Sequence, residues 1–521
     1  MNHLETIREY HERTKHHPDR YAASLGYMDW ANQPDPFRRY GGSELVTLPL
    51  TLDRPTPPYG DLFQKGAVPA APLDGESLSR LLQFSLGLAA WKGIGSDRWA
   101  LRCNASSGNL HPTEAYLVLP PVAHVNERSG IFHYAPKEHA LERLADFDTR
   151  FWEPLPEGSV LLLLSSLLWR EAWKYGERAF RYCQLDAGHA QRAVEVSAAM
   201  LGWKVRRLDA DPQSLETIGG IVQEGRFMNE ERESADMLLL ITPEAAADVD
   251  LSLLLDDLPC RYEGRANRLS PAHHRWKAIE LADAAARISG GGSPYALAVP
   301  ERLSRDASAE IVLKRRSAQA MDFGRATISK AAFFTLMRSV TPSLPEQTPV
   351  HFLLFIHHVE ELDPGLYMMV RNPLHLERLQ AATREGLLWE NYGEGLYLLE
   401  AGDFRPQAKF ISCSQDIASD SAFSLGMLCE FAPQLEAHGA HRYKELFWEC
   451  GAIGQQLYLE ATSLKLSATG IGCFLDDVVH RMLGLHDEQF QSLYHFTIGR
   501  AIVDMRLQTL PPYAHLEGLR P

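Results

Sequence analysis

Residues 178–201, RAFRYCQLDAGHAQRAVEVSAAML, lie over residues 443–466, YKELFWECGAIGQQLYLEATSLKL, when the chain is shifted by 265 positions. The register matches Ala187 with Ala452, Gln191 with Gln456, Glu195 with Glu460 and Leu201 with Leu466. Identities are few, so the repeat rests on the shared apolar pattern and on the order of the flanking elements. Each stretch carries apolar and small residues at helical spacing, and the first ends at Gly202, a residue type that favours helix termination in a left-handed turn.

Outward from the first copy, Leu78–Trp91 reads as a helix, Ala115–Leu119 as a strand, Val160–Trp169 as a buried strand and Leu238–Ile241 as another strand. A helix-like run, WREAWKYGERAFRYC, joins Val160–Trp169 to the repeat. The second half repeats the order with a helix at Lys330–Arg338, strands at His351–Ile356 and Lys409–Ser412, and a helical stretch through Gly454–Leu466. The pattern predicts an α+β chain of two tandem half-domains; the alternative is two unrelated α/β domains.

The 521 residues exceed what one hydrophobic core organises, which agrees with two domains. Residues 1–75, punctuated by Pro34, Pro36, Pro55, Pro57 and Pro58, are expected to form an irregular lead-in, and 76–265 the first half-domain. Gly290-Gly291-Gly292 followed by Ser293-Pro294 marks a break, giving a linker over 266–300 and a second half-domain over 301–521.

A net charge of -15 argues against nucleic acid and anionic membranes as partners. The longest apolar run is far below the roughly 20 residues a membrane helix needs. MNHLETIREYHERTKHH lacks an apolar signal core, so a cytoplasmic location is expected. The seven cysteines form no CxxC and no metal-ligand spacing, and read as small buried hydrophobes outside any disulfide framework.

Three segments carry candidate chemistry. Arg315-Arg316-Ser317, read as entering a helix, offers bidentate charge-assisted donors for a terminal phosphate, although basic pairs are common on solvated helix faces. The loop RCNASSGNLHPTEAY offers Ser106, Ser107 and Asn109 as hydrogen-bonding groups, with Gly108 allowing close backbone approach; it also reads as an ordinary turn. SATGIGCF places Gly470-Ile471-Gly472 where backbone can pass a flat ligand, and Arg500 or Arg506 follows as a further phosphate donor.

Together these segments resemble the FMN-dependent nitroreductase-like flavoproteins, whose signature is an Arg-Arg-Ser helix start, a Pro-Ser-Ser-x-Asn loop, a late Gly-x-Gly and a C-terminal basic residue. Ala105 stands where that family has proline. Within it, SSGNLHPTEAY, KYGERAFRY, LEATSLKLSATGIGCFLDD and LPPY at 510–513 are similar to the SagB/ThcOx-type azoline dehydrogenases. The likeness spans most of residues 85–515.

That resemblance implies a tandem nitroreductase-like fold, its halves forming an intramolecular pseudo-dimer around FMN. It implies Lys174 and Tyr175 as the catalytic pair. Arg315, Arg316, Ser317, Ser106, Ser107, Gly108, Asn109, Gly470, Ile471, Gly472 and Arg500 or Arg506 would bind the cofactor. TPSLPEQTP near Thr341 lacks an SSGN equivalent, and the first half has only Arg38-Arg39-Tyr40 before Leu78, so one FMN per chain is expected.

The reaction implied is oxidation of a thiazoline or oxazoline, peptide-borne or small, to the azole, with a biosynthetic complex as partner. A lysine base would need a dry pocket and nearby cations, and Arg178 and Arg181 are expected on the helical face of Lys174. The bland reading has Trp169, Trp173 and Phe180 facing the core and Lys174, Arg178 and Arg181 facing solvent. His111 and His189 are assigned no role. Two further readings are an NAD(P)H-dependent nitro or quinone reductase and a degenerate flavin-binding scaffold that assists a partner enzyme.

Overall fold

A computed structural model describes residues 2–228, 231–245, 249–287, 308–342 and 344–518. The chain divides into two compact units: a first-half unit of residues 24–287, 308–314 and 505–518, and a second-half unit of residues 2–23 and 315–504.

The sheet of the first-half unit runs, in spatial order, Glu44–Thr47, Ala140–Phe147, Ser129–Ala135, Thr113–Leu119, Val160–Ser166, Ser234–Thr242 and Lys204–Leu208. That of the second-half unit runs Glu390–Asn391, Leu396–Ala401, Gly365–Met369, Val350–Ile356, Phe423–Glu430, Phe490–Gly499 and Ser467–Ile471. Neighbouring strands pair antiparallel in both. Six strands recur in the same spatial and chain order. Only the outer edge strand differs: it precedes the others in the first half, and in the second it lies in sequence between Gly365–Met369 and Leu396–Ala401.

Each unit has one long helix, Ala179–Ala199 of 21 residues and Arg442–Ser463 of 22 residues. The 265-residue shift superimposes them to within two residues, as the repeat predicts. Both are buried nearly all round; in the first, only Glu195 and Ala199 are not fully buried. Their buried faces include polar side chains, among them Asp186, His189, Glu449 and Gln456, which must therefore be satisfied inside the protein. The α+β architecture of two tandem half-domains expected from sequence is therefore present.

Several boundaries differ from the sequence reading. The helix expected over Leu78–Trp91 ends at Gln83 and strand Leu88–Ile94 follows, because the chain doubles back at Gly87, where a Cβ would sit 2.7 Å from the Gln83 carbonyl. The strand expected over Val160–Trp169 stops at Ser166, and Leu168 opens a helix. Lys409–Ser412, expected as a strand, lies largely in the helix Arg405–Ile411. Pro406 and the Asp403 carboxylate, which accepts from the Arg405 amide at 3.1 Å, start that helix.

The units also do not follow a linear cut. Residues 3–13 form a helix capped by Asn2, and it belongs with the second-half unit: His11 Nδ1 lies 3.3 Å from Tyr443 Oη, and Lys15 pairs with Asp477 at 3.0 Å. Lys277–Ala286, inside the expected linker, is a helix tied to the first half through Ser234 Oγ and Asp283 at 2.6 Å. The glycine break at 290–292 lies outside the described residues. At the other end, Gln508–Leu510 adds a strand to Leu88–Ile94, and the Leu88 amide donates to Tyr513 Oη at 3.0 Å. No described helix is long and apolar enough to cross a membrane.

Tyr513 is buried in a small cluster with Phe37, Leu88 and Ala100. Tyr513→Ala is expected to destabilise the first-half unit by about 3 kcal/mol through the cavity it leaves. Tyr513→Phe, which removes the hydroxyl that accepts from the Leu88 amide and hydrogen-bonds Tyr134, should cost about 1–2 kcal/mol. Denaturant unfolding of the two variants checks the order, and equal losses would mean the ring itself contributes nothing.

Candidate functional site

The Ser-Ser-Gly-Asn loop joins strand Asp97–Arg102 to strand Thr113–Leu119 and is held from below by the long helix. Asp186, fully buried on that helix, accepts from Ser106 Oγ at 2.8 Å, the Ser107 amide at 3.0 Å and Ser107 Oγ at 2.9 Å. Burial pushes the Asp186 carboxyl up to about 7, against the downward pull of these hydrogen bonds. Ser106 Oγ also accepts from the His111 amide at 2.8 Å, and Asn109 Nδ2 donates to the Ala100 carbonyl at 2.9 Å. Gly108, Asn109 and His111 all adopt positive φ, so the loop turns sharply and presents backbone outward.

Lys174 and Tyr175 come to this same loop. A Cβ placed on Gly108 would lie 2.7 Å from Tyr175 Oη and 3.1 Å from Lys174 Nζ. The helix carrying them, Leu168–Tyr175, is fixed by Arg170, which donates to the His111 carbonyl at 2.5 Å and to Glu114 at 2.7 Å. Tyr175 packs edge-on against Tyr182, with ring centroids 4.5 Å apart.

The expected continuous face of Lys174, Arg178 and Arg181 is not formed. Gly176, at φ 54 and ψ −136, breaks the helix, so Arg178 and Arg181 turn inward and are buried while Lys174 is exposed. Lys174 is therefore in solvent, as the bland reading had it, whereas Arg178 and Arg181 are not. Trp173 and Phe180 do face the core, and Trp169 is half-buried.

One turn before Lys174, Glu171 is fully buried, and neither carboxyl oxygen has a hydrogen-bond partner among the described residues. Burial, and then the charge of Asp186, push its carboxyl well above the usual range. Sequence reasoning missed Glu171 and Asp186. Their only signal was two carboxylates inside otherwise apolar helical patterns.

The second-half unit holds the Arg-Arg-Ser segment. It is extended, following the short helix Ile311–Lys314, and does not enter a helix. Its backbone is claimed by strand Ser467–Ile471: Ser317 bridges Ala468, and the Ala318 amide donates to the Ala468 carbonyl at 3.0 Å. Tyr458, on the long helix, organises the corner. Its hydroxyl accepts from the Gly470 amide at 2.8 Å and lies 2.8 Å from Ser317 Oγ, while the Arg315 guanidinium stands 5.0 Å from its ring centroid.

At Gly470 a Cβ would stand 1.8 Å from Tyr494 Oη, so only glycine fits. Ile471 ends the same strand, and Gly472 follows. Arg500 follows strand Phe490–Gly499, and its carbonyl accepts from the Asp322 amide at 2.7 Å. Arg506 is exposed and belongs to the first-half unit.

Each unit lacks the other's piece for a visible reason. Where Ala318 pairs beside Ala468, the first-half unit has Ala71 beside Leu201 and Trp203: the Ala71 amide donates to the Leu201 carbonyl at 2.8 Å, and Trp203 Nε1 to the Ala71 carbonyl at 2.8 Å. The residues before it are Val68-Pro69-Ala70, with no cation. Arg38 and Arg39 are instead committed to Glu231, Glu233, Glu138 and Glu142. In the second-half unit the place of the Ser-Ser loop is tied down by Arg371, which donates to the Val340 and Val350 carbonyls at 2.6 and 2.9 Å, and by Thr348, which donates to the buried Glu449 at 2.6 Å.

Comparison with known proteins agrees with this geometry. Residues 315–500 match the model of the family described as "Nitroreductase family". A Methanocaldococcus jannaschii protein named as a nitroreductase is 26% identical over 141 residues, covering 26% of this chain and 67% of that protein. A crystal structure of a protein from Anabaena variabilis described as a nitroreductase superimposes with a TM-score of 0.68 at 20% identity, covering 95% of this chain and 99% of that one; it shares the fold of the whole tandem. Residues 315–500 are thus similar to the nitroreductase family, a likeness that supports an oxidoreductase, and the whole chain shares the fold of the Anabaena variabilis protein.

Gly108→Ala is expected to cost about 1–2 kcal/mol from the left-handed backbone alone and to displace Tyr175 and Lys174. Unchanged stability in denaturant unfolding would mean the loop does not bear on them. Asp186 gives a pH effect. Its folded pKa of about 7 exceeds the ordinary aspartate value of 3.8, so the stability it contributes is full below that lower value and is lost as pH rises towards 7. Asp186→Asn, which keeps an acceptor oxygen and cannot ionise, should flatten this decline; parallel stability profiles for the two proteins between roughly pH 4 and 7 would remove Asp186 as its source.

Proposed function

We propose that this chain is a cytoplasmic FMN-dependent dehydrogenase of the SagB/ThcOx type, oxidising a peptide-borne or small thiazoline or oxazoline to the azole. The observation that carries the reading is the meeting of Lys174 and Tyr175 with Gly108 in a loop whose other donors, Ser106 and Ser107, are fixed by Asp186. Two residues picked for catalysis and a loop picked for a planar ring lie together, although 66 positions separate Gly108 from Lys174.

The residues fit FMN. Arg315, Arg316, Ser317 and Arg500 are donors suited to a phosphate monoester, and Gly470-Ile471-Gly472 offers backbone with no room for a side chain at Gly470. Gly108 lets the loop backbone approach the polar edge of the ring, while Ser106 and Ser107, whose hydroxyls donate to Asp186, and Asn109, whose amide donates to the Ala100 carbonyl, hold the loop in shape. Each unit carries one set of these residues and not the other, which fits the expectation of one FMN per chain. Bound there, FMN supplies the two-electron acceptor that azoline dehydrogenation requires.

Lys174 takes the ring proton, and its exposure leaves it open to an incoming peptide; Tyr175, braced on Tyr182, orients the heterocycle. Glu171 and Asp186, whose carboxyls burial pushes up, are enclosed in the protein, whereas Lys174 is exposed. A peptide substrate fits delivery by a partner within a biosynthetic complex. The name of the archaeal relative favours a second reading, NAD(P)H-dependent reduction of nitro or quinone compounds.

Purified protein should contain one FMN per chain, and the double variant Arg315→Ala/Arg316→Ala should lose it. Lys174→Ala should keep the flavin and lose azoline oxidation by about 10²-fold or more. Full activity in Lys174→Ala excludes the proposed base. A protein that takes up no FMN excludes both enzyme readings, and flavin bleaching by NADPH coupled to nitro reduction, without azoline turnover, replaces the first by the second.

A further inference from the structure

Not all cysteines are the buried hydrophobes that their sequence pattern suggested: Cys103, Cys183, Cys429 and Cys450 are, whereas Cys413 and Cys473 are half-buried and Cys260 is exposed. We propose that Cys413 and Cys473 are a covalent modification site, a reversible intramolecular disulfide within the second-half unit that forms by exchange with low-molecular-weight disulfides. Their sulfurs lie 2.6 Å apart. Cys429 and Cys450 in the same unit show the ordinary thiol contact, at 3.7 Å.

The backbone around the pair is already in place for a bond. The Leu475 amide donates to the Ile411 carbonyl at 2.8 Å, and Gln415 Nε2 to the Cys473 carbonyl at 3.4 Å, so hydrogen bonds flank the sulfurs on both sides. Cys413 and Ser414 are consecutive non-glycine residues at φ 53 and 60. They turn the chain back at the end of the helix Arg405–Ile411 and aim Cys413 at Cys473. Two segments 60 residues apart in sequence thus meet with their thiols in contact. Tyr21, itself exposed, hydrogen-bonds Cys413 from the N-terminal segment.

The chemistry balances with a small disulfide such as oxidised glutathione. A thiolate of the pair attacks one sulfur of the reagent, its S–S bond breaks, and one small thiol leaves; a mixed disulfide remains on the protein. The second cysteine, as thiolate, attacks the protein-side sulfur of that mixed disulfide and expels the other small thiol. The two protein thiols lose two electrons and two protons, which the two released thiols carry away. The bond would anchor Cys473, and with it the end of Gly470-Ile471-Gly472, to the turn at Cys413. This site stands on the thiol geometry and does not depend on the flavin reading.

The full-length chain, incubated with oxidised glutathione until Cys260 is modified, is alkylated and digested for mass spectrometry. A cross-linked peptide pair containing Cys413 and Cys473 is expected, together with loss of two alkylatable thiols that dithiothreitol restores. Cys429 and Cys450 should remain thiols. In Cys413→Ser, or in Cys473→Ser if the first does not fold, the remaining cysteine should accumulate as the glutathione adduct. Separate alkylation or separate glutathione adducts at Cys413 and Cys473 in the native chain, at a dose that modifies Cys260, would overturn the proposal.

Discussion

A helix buried on all sides must satisfy inside the protein every polar group it carries, and that constraint shapes both halves of this chain. The helix Ala179–Ala199 holds Asp186 against Ser106 and Ser107; the helix Arg442–Ser463 holds Tyr458 against Ser317 and Gly470. The polar side chains that a sheet-covered helix has to satisfy are the ones that fix the candidate site. Duplicate scaffolds carry different anchors at these places, and each anchors a different piece.

Divergence of the halves follows from which neighbours those anchors find. Val68-Pro69-Ala70 packs where the other half has Arg315-Arg316-Ser317, and Gly202 leaves no room for a Cβ against Pro69. Arg371 and Thr348 lock the segment that corresponds to the Ser-Ser loop. These are well-hydrogen-bonded, close-packed arrangements, so neither segment is free to take the form its counterpart has in the other half. The same economy places Arg38 and Arg39 in ion pairs with buried or half-buried glutamates, which leaves them no phosphate to bind.

Local sequence was a good guide where a single element decides its own form. Lys330–Arg338 is a helix with the predicted bounds, Thr113–Leu119 and Val350–Ile356 are strands, and the long helices stand where the repeat put them. It misled where a neighbour decides. Arg315-Arg316-Ser317 reads as a helix start, yet Ala468 draws its backbone into an extended pairing. The cations after Lys174 read as one face until Gly176 bends the chain.

The sequence by itself determined that there are two related halves, that each is built of an apolar strand set and a long buried helix, and which glycines, serines and arginines carry candidate chemistry. Those properties are written in composition and periodicity, which act over a few residues. Only the tertiary structure decided that Asp186 secures a loop about 80 positions earlier, that Lys174 and Tyr175 reach Gly108, that Cys413 meets Cys473, and that each terminal segment joins the opposite half. Such contacts depend on burial and hydrogen-bond demand across the fold, and no spacing along the chain encodes them.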